Sequence, residues 1–176
     1  DVCAGDVSRL SIGLDAPRMP LPSPRRFFWD KKNNAWRNKR ASEKGYGRHC
    51  EVMIKALNLG NIQWTPTLEN APEWMKLGFV LFKGLMVFEH VYEVFPSAAY
   101  KMLNHDIGTR MNIPLANFQR GPKDMLDAGA AALSVLEYER GAGMEVGGGD
   151  GLGTIVLPRK VEILSAVSSW PDAPAY

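Results

Sequence analysis

The stretch Pro122-Lys123-Asp124-Met125-Leu126-Asp127-Ala128, running into Gly129-Ala130-Ala131-Ala132, constrains the fold more than any other part of the chain. Pro122 suits a first helical turn, and the apolar pattern beyond it predicts a helix to about Arg140, stopped by Gly141. The small residues allow that helix to lie close against a sheet. Asp124 and Asp127 are three positions apart and therefore share a helix face. On a close-packed helix both carboxylates would be carried to the strand ends, where they could hold a divalent cation. The plainer reading gives Asp124 to the helix dipole and Asp127 to surface filler.

Two further acids sit in strand-like surroundings. Arg9-Leu10-Ser11-Ile12-Gly13-Leu14-Asp15 alternates as a short strand and is ended by Ala16-Pro17. In α/β folds the end of such a strand is where ligands bind, although Asp15 also suits an Asx turn. His90-Val91-Tyr92-Glu93-Val94-Phe95 is a second strand, ended by Pro96. Glu93 is costly to bury there unless it is paired or bound to metal; on an edge strand it would simply face water.

The rest alternates in the same way. A helix is expected from about Ser42 to Leu57, and a well-buried one from Glu73 to Phe88, with Trp74, Leu77, Leu81, Leu85 and Phe88 as its inward stripe. A short helix is expected over Ser97 to Leu103, a loop over 104–121, and a last strand over Thr154 to Leu157 before Pro158. Strands alternating with helices predict an α/β layered fold. A single domain over 1–158 and a C-terminal tail over 159–176 are the expected organisation, since 176 residues suffice for one core. The Gly147–Gly151 run lacks the Lys-Ser/Thr signature of a phosphate loop and reads as a turn.

The net charge of +2 hides an asymmetry: ten Lys/Arg against two acids between Arg18 and Arg48 give that segment +8 and leave −6 elsewhere. Phe27, Phe28, Trp29, Trp36 and Tyr46 interleave with the charges. A mobile basic segment with exposed rings would grip phosphates and stack bases, through Arg25, Arg26, Lys31, Lys32, Trp36, Arg37, Lys39 and Arg40. A solvated loop with a few rings in the core is the alternative. The richest apolar run, Leu77 to Phe88, contains Lys83 and is too short to span a membrane. Two cysteines make no disulfide framework and show no zinc spacing, so a reducing, cytoplasmic setting is expected. No secretory leader is read at the N-terminus.

Taken in order, Ile12-Gly13-Leu14-Asp15-Ala16-Pro17, Tyr92-Glu93-Val94-Phe95-Pro96-Ser97-Ala98, Lys123-Asp124-Met125-Leu126-Asp127-Ala128 and Ile155-Val156-Leu157-Pro158 resemble the predicted-nuclease family called domain of unknown function 429. The Asp-x-x-Asp-Ala helix is also similar to the last acidic motif of RuvC-type Holliday-junction resolvases. The resemblance runs from about residue 8 to residue 158. It implies a ribonuclease-H-like fold, a central mixed sheet flanked by helices, with metal-ligating or catalytic roles for Asp15, Glu93, Asp124 and Asp127. The cofactor would be Mg2+ or Mn2+ and the partner DNA or RNA. The sequence departs from the family in one place. The N-terminal hairpin, whose first strand carries an aspartate, has no room ahead of Leu10 and is expected to be missing, with Gly5-Asp6 a faint echo of it. The expectation is therefore a metal-dependent nuclease, with a non-catalytic nucleic-acid- or protein-binding module as its rival. An open sheet edge or the Trp-rich segments would permit a homo-oligomer.

Overall fold

The structure is a computed structural model and describes residues 10–103 and 123–171. The expectations for Gly5-Asp6, the 104–121 loop and Pro122 lie outside these residues. The chain is mixed α/β. Strand β1 (Ser11–Leu14) pairs in parallel with β4 (His90–Glu93), in the register Ser11↔His90 to Leu14↔Glu93. A parallel bridge, Val94↔Val156, continues the arrangement to β6 (Thr154–Leu157), which is antiparallel to β5 (Met144–Gly147). The strands therefore run β1-β4-β6-β5.

One face is covered by α4 (Lys123–Glu139), whose Ala131 and Val135 pack with Val94 and Val156. Gly13 makes the close approach possible: a Cβ there would stand 2.9 Å from Val135 and 3.1 Å from the Ala131 carbonyl oxygen. The other face is covered by α1 (His49–Ala56), whose Cys50, Met53 and Ile54 share a core with Val146, Ile155 and Leu157. The helix begins at His49 rather than Ser42 because Gly45 and Gly47 have φ of 75° and 110°, outside helical space.

Three expectations are corrected. The basic segment is an ordered antiparallel hairpin, β2 (Phe27–Asp30) with β3 (Ala35–Asn38). Asp30 caps its turn by accepting from the Lys32 amide at 3.0 Å, and Asn34 takes the left-handed φ of 47°. The segment read as a tail packs inward: it forms α5 (Ser165–Ser168), and Val167 and Trp170 are buried. Finally, α2 (Glu73–Leu85) buries Met75, Gly78 and Phe82, not the expected stripe. Trp74, Leu77 and Leu81 are 46%, 59% and 42% exposed. Gly78 is the point of contact, so close to Ala16 that a Cβ would come within 2.6 Å of that side chain. Seating the helix on Gly78 turns the larger residues outward. A short helix α3 (Pro96–Leu103) packs Ala99 and Leu103 against Ala130 and Leu133 of α4.

Candidate active-site cleft

Parallel strands β1 and β4 end side by side, and α4 begins over their ends. This geometry makes a cleft of about 300 Å3 lined by Asp15, Glu93, Lys123 and Asp127, with Arg48 among its walls and Trp74 at its rim. Carboxyl ends of strands are where open α/β sheets bind ligands. Three of the four expected acids thus line one cleft. Asp124 is exposed on the first turn of α4 and acts on Asp15 through space.

Asp15 and Asp127 form a like-charged pair. Asp15 is open to water on one side, yet its carboxyl is pushed up to about 6, first by burial, then by the Asp127 charge, with Asp124 adding to and Lys123 opposing the rise. Water on the open side screens part of this repulsion. Asp127 is oriented by two neighbours: the Tyr100 hydroxyl donates to its Oδ1 at 2.9 Å, and Lys123 Nζ is 3.8 Å from Oδ2. Burial, and then the bond to Asp127, pushes the Tyr100 phenol well above its usual range.

Glu93 has another role. It is buried, as its apolar neighbours suggested, and β4 is flanked by β1 and β6, so it is not an edge-strand residue facing water. Arg48 grips it with two hydrogen bonds, Nη1 to Oε2 at 2.7 Å and Nη2 to Oε1, and the Arg18 amide donates to Oε2 at 2.8 Å. Complete burial pushes the Glu93 carboxyl upward against the pull of the Arg48 guanidinium. Arg48 also donates to Glu51 Oε1, from Nε at 3.1 Å and from Nη2 at 2.9 Å. Glu51 in turn accepts the Arg48 amide at 3.1 Å at the start of α1, and accepts both the amide and the hydroxyl of Thr65. Sequence reasoning missed this network. Neither Arg48-x-x-Glu51, which lacks a capping side chain at its first position, nor the pairing with Glu93, forty-five positions away, had a readable signal.

Among the described residues, no group of three or more His, Cys, Asp or Glu side chains is placed to hold a metal ion. Glu93 has both oxygens engaged by protein donors. Asp15 and Asp127 remain as oxygen donors; Mg2+ commonly uses one or two carboxylates, retaining water and taking up substrate phosphate. Two carboxylates in one cleft supply the donor number such an ion uses, whereas a four-carboxylate cage is not formed by the described residues.

None of the eight residues expected to bind nucleic acid lines the cleft. Arg25 ion-pairs with Asp150 at 2.5 Å and lies over Trp170. Arg37 grips Glu43 with two bonds, of 2.9 Å and 2.5 Å, and covers Phe28. Trp36 is half-buried, donates to the Ala166 carbonyl at 2.9 Å and packs edge-on against Trp29 and Trp170. Lys39 Nζ bonds the Glu43 carbonyl at 2.9 Å, Arg26 stacks over Phe27, and Lys31 reaches Asn58 at 3.5 Å. Lys31, Lys32 and Arg40 are exposed. No described helix is long and apolar enough to cross a membrane. No protein-family model, curated protein or solved structure matches the chain.

Proposed function

We propose that the cleft is the centre of a divalent-metal-dependent nuclease, on a ribonuclease-H-like arrangement of the sheet and its helices. The observation that carries the reading is the Asp15–Asp127 pair at the strand ends, two carboxylates whose repulsion a cation would relieve. Mg2+ or Mn2+ held by these two would supply Lewis-acid activation of a phosphodiester and its attacking water. Asp124 would hold ordered water at the same face. Tyr100 fixes the Asp127 carboxylate, and Lys123 is positioned to offset phosphate charge. Glu93 shapes the floor through Arg48 instead of ligating. Lys31, Lys32 and Arg40 would make phosphate contacts that steer a DNA or RNA strand. The free, buried Cys50 suits a reducing, cytoplasmic setting.

The rival reading, a non-catalytic nucleic-acid- or protein-binding module, is favoured by one observation: Glu93 is committed to an internal ion pair and leaves only a carboxylate pair. Thermal unfolding with MnCl2 and MgCl2, on the wild type and on Asp15→Asn/Asp127→Asn, separates the two. A nuclease site gives a rise of several degrees in the wild type alone, and cleavage of labelled DNA or RNA oligonucleotides that Asp127→Asn abolishes. Absence of both a shift and cleavage leaves the binding module.

A further inference from the structure

The outward face of α2 leaves a run of large apolar side chains exposed. Trp74, Leu77, Val80 and Leu81 are 46%, 59%, 66% and 42% exposed, and Met86 and Val87, just past the helix, are 80% and 85% exposed. Such a cluster on one helix exceeds the scattered single apolar residues that a soluble monomer usually exposes and marks an interaction surface.

The order of residues along the stripe says what fits it. Trp74, Leu77, Leu81 and Gly84 recur at spacings of three, four and three, the seam of two helices that pack along their length. The stripe is also self-complementary. With two copies of α2 antiparallel about a two-fold axis near Phe79, Trp74 of one copy lies opposite Gly84 of the other, and Leu77 lies opposite Leu81. The largest side chain meets the one position with none. A Cβ built on Gly84 meets nothing within 4 Å, so the vacancy points away from the protein's own core. An isologous contact requires this pairing of one patch with itself.

We propose that the protein is a homodimer joined through the outward faces of α2. The contact buries Trp74, which also stands at the rim of the Asp15–Asp127 cleft, and so sets the dimer seam beside that cleft.

Light scattering and sedimentation equilibrium over about 1–200 µM test it. The wild type is expected at twice the chain mass of 19.5 kDa in the upper part of that range. Leu77→Lys/Leu81→Lys should be monomeric. Because exposed lysines could also perturb folding, Gly84→Gln is the second variant: it adds a side chain where the monomer has space, so it should keep the wild-type circular dichroism yet weaken dimerisation at least tenfold. Trp74→Ala/Gly84→Trp, which moves the bulky residue to the other end of the same contact, should restore association lost in Gly84→Trp. A monomer at 200 µM overturns the proposal, as does a dimer that Gly84→Gln leaves unchanged. A monomer whose α2 residues are shielded only on adding a detergent micelle or another protein overturns it equally and assigns the face to that occupant.

Discussion

The floor and the mouth of the cleft both carry acids, yet they treat them in opposite ways. On the floor, Glu93 and Glu51 are buried and every carboxylate oxygen has a donor, with Arg48 at the centre. At the mouth, Asp15 and Asp127 share the cleft with a phenol and a lysine as company, and the Asp15 carboxyl rises to about 6. A charge that the fold answers internally has a structural role. A charge left partly unanswered beside an open cleft is available to something from outside. Glu93, buried among apolar neighbours, has the more structural environment of the two regions.

The most damaging way to break the comparison is at Arg48. Arg48→Met leaves Glu93 and Glu51 buried without their cation and should cost about 3–5 kcal/mol of stability, read by urea or thermal unfolding. Arg48→Met/Glu51→Gln/Glu93→Gln removes both orphaned charges and should recover at least half of that loss. If Arg48→Met is as stable as the wild type, the floor is not held by this ion pair, and Glu93 returns to the set of candidate ligands.

Why the partner of Glu93 could not be read is also why much else could. Strands β1, β4 and β6 and helix α4 follow from local patterns: alternation, proline stops and a small-residue run that permits close packing on Gly13. Those features act within a few residues of where they are written. The Arg48–Glu93 pair links positions forty-five apart and has no local signature. The hairpin β2–β3 did carry one, since Asp30 through Asn34 is a turn sequence, but the surrounding charges suggested a solvated segment; Arg25 and Arg37 turn inward to Asp150 and Glu43. In α2 the periodicity located an apolar face correctly, but a pattern of side chains does not say what covers that face. Gly78, a single residue without a side chain, decided which way the helix turned.

The mouth makes the second test, with a smaller effect and a definite sign. The Asp15 carboxyl is higher in the fold, about 6, than the ordinary value of 3.8 expected when unfolded. The folded chain therefore binds more protons than the unfolded chain between about pH 4 and 6, so its stability falls as pH rises through that window. Asp15→Asn removes both the partly buried charge and its repulsion with Asp127: it should leave stability unchanged below pH 4 and raise it at pH 7 by about 1 kcal/mol, a value kept small because the carboxyl is partly exposed and screened. That is roughly 2–4 °C in Tm for a chain of this size. A Tm gain that is the same at both pH values would mean that neither burial nor the Asp127 charge raises the Asp15 carboxyl. Added Mn2+ should give the wild type, but not Asp15→Asn, a comparable rise at pH 7.

The smallest expected effect sharpens the comparison most, because it asks whether the mouth is positioned or merely crowded. Tyr100 donates to Asp127 at 2.9 Å from α3, the helix that packs beside α4. Tyr100→Phe keeps the ring and removes the donor, so it should cost about 1 kcal/mol or less in stability. Its functional consequence has a clear direction. A carboxylate that loses the donor fixing its orientation must be ordered by the ion itself, so Asp127 should bind Mn2+ more weakly. Titrating Mn2+ by the Tm shift at pH 7 reads this directly: Tyr100→Phe should need more Mn2+ than the wild type for the same rise. An unchanged titration would reduce Tyr100 to a packing residue and leave Asp127 oriented by Lys123 and the α4 backbone alone.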